Sequence, residues 1–152
     1  MSGFTTGMRS SASDEWTTPR WLFDELDAEF HFTLDAASTH ENALCERHYT
    51  LENDALSHSW DGEVVWLNPP YGRAIGKFVK KASEISGGGC CVALVPARPD
   101  TRWWHDHVAG KATEIRFIKG RLRFGDGKNG APFPSAIVIY DKRPRRWWTV
   151  RG

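Results

Sequence analysis

The chain has no apolar run that could cross a bilayer: its longest, Cys90–Pro96, falls far short of the roughly 20 residues required. Cysteine is scarce. The three present, Cys45, Cys90 and Cys91, form no disulfide framework and fit a reducing, cytoplasmic setting. No charged-then-apolar leader opens the sequence; residues 1–13 are polar, rich in Gly, Ser and Thr, and read as a flexible lead-in. Internal repeats and dividing linkers are also missing, so 152 residues make one domain and hardly two. Hydrophobic residues at 40% and charged residues at 26% exclude a disordered chain.

The net charge of +1 conceals a split. Residues 1–76 hold 4 Lys/Arg against 13 Asp/Glu, a net of −9, and residues 77–152 hold 16 against 6, a net of +10. Such asymmetry marks contact with nucleic acid or a membrane surface, unless folding interleaves the two halves. Eight tryptophans are present, two of them in the basic tail of residues 142–152. That tail suits phosphate contact with base stacking, or a last strand whose tryptophans pack on the core.

Thr18-Pro19 reads as a helix entry, an N-cap hydroxyl followed by proline at the first helical position, with Leu22, Leu26 and Phe30 along one face. Phe32–Asp35 reads as a short strand, and Glu41–Arg47 as a short helix in a polar stretch. Val64–Leu67 is a buried-type strand stopped by Asn68-Pro69-Pro70-Tyr71-Gly72. Ile75–Ser86 has helical spacing, Gly87–Gly89 ends it, and Cys90–Val95 is a second apolar strand. Thr101–Val108 reads as a short helix; Glu114–Ile118, Leu122–Phe124 and Ala136–Tyr140 read as strands, the last two joined by a Gly-rich loop. The pattern predicts one α/β domain, a mixed and mainly parallel sheet ending in an antiparallel hairpin. Ligands of such sheets sit beyond the carboxyl ends of the strands, where Asp35 and Asn68 fall.

Asn68-Pro69-Pro70-Tyr71 is the sharpest chemical signal. Consecutive prolines lack N–H groups and fix φ, so the neighbouring carbonyls are held rigid and unpaired. An Asn side-chain oxygen and one such carbonyl can accept both hydrogens of an exocyclic amino group, and a Tyr ring can stack on its planar system. A plain Pro-Pro turn is the alternative.

This motif resembles the hallmark of amino-group methyltransferases that use S-adenosylmethionine, shared by enzymes acting on DNA, ribosomal RNA and protein glutamine. Further blocks resemble the small phage-type DNA N-6-adenine methyltransferase (Dam-like) family: Trp16-Thr17-Thr18-Pro19, Leu34-Asp35-Ala36-Ala37-Ser38, Asn42-Ala43 with Cys45, Trp66–Gly72, Ala93–Arg98, Gly120–Phe124 and Ala131–Ser135. The resemblance implies a Rossmann-like methyltransferase domain over residues 14–141. It implies a cofactor site at Trp16, Thr17, Thr18, Pro19, Asp35, Ala36, Ala37, Asp54 and Asn68, Asp54 lying 19 residues beyond Asp35. Catalysis falls to Asn68, Pro69, Pro70 and Tyr71, and contact with double-stranded DNA to Tyr71, Arg98, Arg121, Arg123, Lys128, Phe133 and Ser135. The implied reaction moves a methyl group to adenine N6 in phage or prophage DNA, in the bacterial cytoplasm, guarding it from restriction, by a monomer or homodimer. Two features depart from the wider pattern: Ala36–Asn42 contains no glycine, and no segment is long enough for a separate recognition domain.

Other constellations read more simply. His105-Asp106-His107 lacks metal-ligand spacing, so no metal is expected; Cys90-Cys91 reads as core. Transfer to cytosine N4, RNA or a protein glutamine stays open at this point, as does a non-catalytic DNA-binding protein of the same fold.

Overall fold

In the computed structural model, which describes residues 16–125 and 130–144, Pro19 opens the first helix from outside it. Its carbonyl accepts from the N–H groups of Leu22 (3.1 Å) and Phe23 (3.2 Å), and α1 runs Arg20–Phe30. The expected cap is absent: no side chain caps α1, because Thr18 lies one residue too far upstream and its hydroxyl is engaged elsewhere. Leu22, Phe23, Leu26 and Phe30 are buried along one face, where Phe23 meets Trp66 edge-on at 5.7 Å. His31, in the left-handed region at φ 59°, ends the helix.

Five strands follow: β1 (Leu34–Asp35), β2 (Val64–Leu67), β3 (Cys90–Pro96), β4 (Glu114–Phe117) and β5 (Ser135–Asp141), in the order β1-β2-β3-β5-β4. β1, β2 and β3 are parallel, with Asp35 opposite Trp66 and Leu67 opposite Ala93. β5 runs antiparallel between β3 and β4, so four of these five strands point one way. All seven residues of β3 are buried, which puts the core at the centre of the sheet. Between β2 and β3, α2 (Ile75–Ser83) buries Ile75, Val79 and Ala82; α3 (Arg102–His107) packs beside it, with Trp104 buried. The helix ends at Ser83, with Glu84 as its C-cap, short of the expected Ser86 and before the glycines; at Gly89 a Cβ would lie 2.8 Å from the Glu63 carbonyl oxygen.

Two expected elements do not form. Glu41–Arg47 is a run of turns and bends, because side chains take the N–H groups that a helix would use. Thr39 N–H donates to Asn42 Oδ1 (2.8 Å), Asn42 N–H to Thr39 Oγ1 (3.1 Å) and Leu44 N–H to Asp35 Oδ2 (3.0 Å). Two 3-10 turns, Leu51–Asn53 and Ala55–Ser57, complete that connection. Leu122–Phe124 is not a strand either. Its alternation buries Leu122 and Phe124 and exposes Arg121 and Arg123, but β5 already has β3 and β4 on its two edges.

The charge split is partly interleaved: Arg116 on β4 makes a bidentate ion pair with Glu29 on α1, both contacts at 2.8 Å. Near that pair Arg143 also lies over the Phe30 ring (5.4 Å), and Lys142 N–H donates to the Gly89 carbonyl (2.9 Å). Residues 1–15, Lys128 and the Arg145–Trp148 stretch of the tail lie outside the described residues. No helix among the described residues is long and apolar enough to cross a membrane.

Candidate active site

The parallel strands end at one edge, and their C-terminal ends place Asp35, Asn68 and Arg98 there. A cavity of about 660 Å³ opens beside them. Its walls include Trp16, Thr17, Thr18, Asp35, Ala36, Ala37, Asp54, Asn68, Pro69 and Pro70. Nine residues named from the sequence as cofactor-binding thus reduce to eight at this cavity; Pro19 is buried at the head of α1 and does not line it.

Asp35 organises the loop that lacks glycine. Its carboxylate is 2% exposed and accepts from Leu44 N–H (3.0 Å) and, weakly, from Ala37 N–H (3.4 Å). Burial nonetheless pushes its carboxyl above the usual carboxylate range, since losing water outweighs the two donors. A side chain thus draws the Ala36–Leu44 backbone around the cavity, a task glycines perform elsewhere. Asp54 sits on the rim at φ 52°, a left-handed conformation that Asp tolerates better than most residues. Glu41 and Glu52 join Asp54 as exposed rim carboxylates.

Asn68 is held from one side only. Its Nδ2 donates to the Trp16 carbonyl and to Thr18 Oγ1, the latter at 2.9 Å. Its Oδ1 is buried and has no hydrogen-bond partner among the described residues. Ser38 Oγ, on the same cavity wall, is also buried and unpartnered.

Tyr71 is 7% exposed, and its hydroxyl donates to the Leu94 carbonyl at 3.1 Å. Burial raises the phenol far above its ordinary range, so it stays protonated. The ring meets Phe124 and Phe133 edge-on, at 6.5 and 5.6 Å; Trp16 meets the same two at 5.4 and 5.2 Å. These four rings form one aromatic group beside Asn68. Phe124 is the member that the sequence reading missed, although the alternation Arg121-Leu122-Arg123-Phe124 carries the signal.

Among the residues assigned to DNA, Arg98 is exposed with its guanidinium over the Phe133 ring (5.8 Å). Arg121 and Arg123 are exposed, whereas Phe133 and Ser135 are buried at 7% and 1%. The cavity also takes in Ser38, the last residue of the Leu34–Ser38 block, and Tyr49, Lys77 and Phe78, which sequence reasoning did not assign to a site. Lys77 and Phe78 lie in the first turn of α2, where spacing reports a core face and nothing of a ligand. Among the described residues no three His, Cys, Asp or Glu side chains are grouped to hold a metal ion.

The mixed sheet, with a cavity beyond the carboxyl ends of its parallel strands, defines an α/β domain built to hold a small molecule at that edge. A solved structure from Pyrococcus horikoshii, provisionally described as an RNA methyltransferase, has the same fold: TM-score 0.56 at 16% identity, over 86% of this chain and 88% of that one. The model of the DNA N-6-adenine-methyltransferase (Dam) family matches residues 5–144, and the chain belongs to that family. The DNA N-6-adenine-methyltransferase of Escherichia phage T1 is 34% identical over 143 residues, and that of Haemophilus phage HP1 is 28% identical over 144. These matches cover 82% and 89% of this chain, but 59% and 83% of the two phage proteins. Family and fold together imply a methyl-donor cofactor.

Proposed function

We propose that the protein transfers a methyl group from S-adenosylmethionine to the exocyclic N6 of adenine in double-stranded DNA, as a modification of phage or prophage DNA in the bacterial cytoplasm. Residues 14–141 form the catalytic domain in this reading. One observation carries it: Asn68, a residue of the cavity wall, spends both amide hydrogens on the protein and keeps a buried, unpartnered oxygen. Leaving a buried acceptor unsatisfied costs about 1–3 kcal/mol, and a donor brought by the substrate offsets that cost.

The residues present fit the cofactor. A volume near 660 Å³ lies inside the roughly 300–1,000 Å³ of small-molecule sites. Glu41, Glu52 and Asp54 supply negative charge suited to a sulfonium and an ammonium group, and Ser38 Oγ offers a free hydroxyl. The loop Asp35–Ser38, Thr17 and Asp54 would hold it. When bound, S-adenosylmethionine supplies an electrophilic methyl group.

Adenine N6 is a poor nucleophile because its lone pair is delocalised into the ring. Asn68 Oδ1 and the Pro69 carbonyl accept its two hydrogens, favouring a tetrahedral nitrogen whose lone pair faces the incoming methyl. Positioning and preorganised dipoles assist the transfer, in which N6 gains the methyl group as the donor's bond to it breaks and then releases one of its two hydrogens as a proton to water. The target base must leave the duplex, and the Trp16, Tyr71, Phe124 and Phe133 group receives it. Stacking on the Tyr71 ring requires Phe133 to turn aside, since that ring is covered here. Arg98, Arg121 and Arg123 then hold phosphates near the opening, with Lys128 read from the sequence as a further phosphate contact.

The test is mass spectrometry of nucleosides after incubation of duplex DNA with the protein and methyl-labelled S-adenosylmethionine. Labelled N6-methyladenine is the expected product. Label only in N4-methylcytosine, RNA or protein glutamine overturns the reading, as does no transfer at all.

A further inference from the structure

We propose that Thr18 is a positioning residue for Asn68: by accepting the second amide hydrogen beside the Trp16 carbonyl, it locks the amide so that Oδ1, and not Nδ2, meets the target base. The inference rests on the methyl-transfer reading above and goes beyond the cofactor contact expected of Thr18.

The two ends of an Asn amide have nearly the same shape, so packing alone does not choose between them. Hydrogen-bond partners do. The Trp16 carbonyl can only accept, and it takes one N–H of Nδ2. The second N–H goes to Thr18 Oγ1 at 2.9 Å. With both hydrogens committed, the amide has one orientation; turned over, Oδ1 would face the Trp16 carbonyl, acceptor against acceptor. Thr18 is free for this work because the neighbouring helix makes no use of it: the Pro19 carbonyl receives Leu22 and Phe23, and no side chain caps α1.

The arrangement also states a preference for substrate. An inward oxygen with no partner selects a base that presents an amino group and rejects one that presents a carbonyl at the same place, which would leave two acceptors face to face. Selectivity for an exocyclic amine is thus set from a segment 50 residues upstream of the catalytic turn.

The test compares Thr18→Val, which keeps shape and removes the acceptor, with Thr18→Ser, which keeps it. Thr18→Val should lower kcat by about tenfold or more, because displacing a reacting group by an ångström costs on the order of 100-fold. Its S-adenosylmethionine Kd by calorimetry should stay within roughly twofold, the mark of an interaction not spent on cofactor binding. Thr18→Ser should restore most of kcat. Independently of activity, the Asn68 side-chain NH₂ resonances should be protected from exchange in the wild-type protein and in Thr18→Ser, and lose that protection in Thr18→Val. Unchanged kcat and unchanged Asn68 resonances in Thr18→Val overturn the proposal; so does a weakened cofactor Kd at full kcat, which would make Thr18 a cofactor contact alone. A wild-type protein that methylates no DNA sinks the functional reading instead, and the resonances still report on the amide.

Discussion

The Tyr71 hydroxyl donates to the Leu94 carbonyl at 3.1 Å, tying the turn after β2 to the middle of β3. The aromatic residue of the Asn-Pro-Pro-Tyr turn is therefore a strut between two strands as well as a ring beside the cavity. Removing the hydroxyl and removing the ring should have separable effects. Tyr71→Phe should cost about 1 kcal/mol of stability, the net worth of one hydrogen bond, and leave most of the transfer activity. Tyr71→Ala should cost about 3–5 kcal/mol, as large aromatic truncations in cores do, and abolish transfer. Thermal melts and methyl transfer on the two variants check this.

Asn68→Ala should lower kcat by on the order of 100-fold or more, the loss seen when one preorganised polar group is removed from a transition state. S-adenosylmethionine binding should survive, because the amide hydrogens bond to the protein and the oxygen faces the base in the proposed reaction. Calorimetry beside steady-state kinetics decides; turnover near the wild-type value would remove Asn68 from the mechanism.

Asp35 gives a pH dependence of defined sign. Its carboxyl is raised by burial, so the folded protein binds that proton more tightly than the unfolded chain. Its contribution is fully present below the unfolded value and is lost as pH rises through the raised one. Urea midpoints between about pH 4 and 7 should therefore show the wild type gaining on Asp35→Asn as the solution is acidified. A gain in the opposite direction would exclude the raised carboxyl.

Arg98 and Arg121 are exposed at the edge that carries Asn68. If each neutralises a phosphate, Arg98→Ala and Arg121→Ala should each reduce the slope of log K against log salt by about 1. Fluorescence anisotropy with duplex DNA over roughly 50–200 mM salt measures it. Unchanged slopes would assign both guanidinium groups to the protein surface alone.

The parts of this fold that could be read in the sequence are those where hydrophobic pattern and breaker agree. Val64–Leu67 forms a strand of those limits because an apolar run meets two prolines, and Gly87–Gly89 separates α2 from β3 as its composition demands. Where side chains replace the backbone as hydrogen-bond partners, pattern fails. The Asp35, Thr39 and Asn42 side chains shape residues 36–44 into the cavity wall, and no periodicity announces it. Leu122–Phe124 alternates like a strand because one side packs among aromatic rings, although no ladder is available to it. Thr18 was legible as a hydroxyl before a helix; that it serves Asn68, 50 residues on, required the fold.

The reversed direction of β5 gives the molecule two poles. Phe133 and Ser135, where β5 begins, stand at the pole of Asn68, while Lys142 and Pro144 leave beside Gly89 and Gly88 at the other. The last described residues are therefore rooted about a strand's length from the aromatic group, whereas Trp16 belongs to it. Pro144 and Trp16 thus mark opposite poles of the sheet, Pro144 beside the Gly87–Gly89 turn and Trp16 on the wall of the cavity.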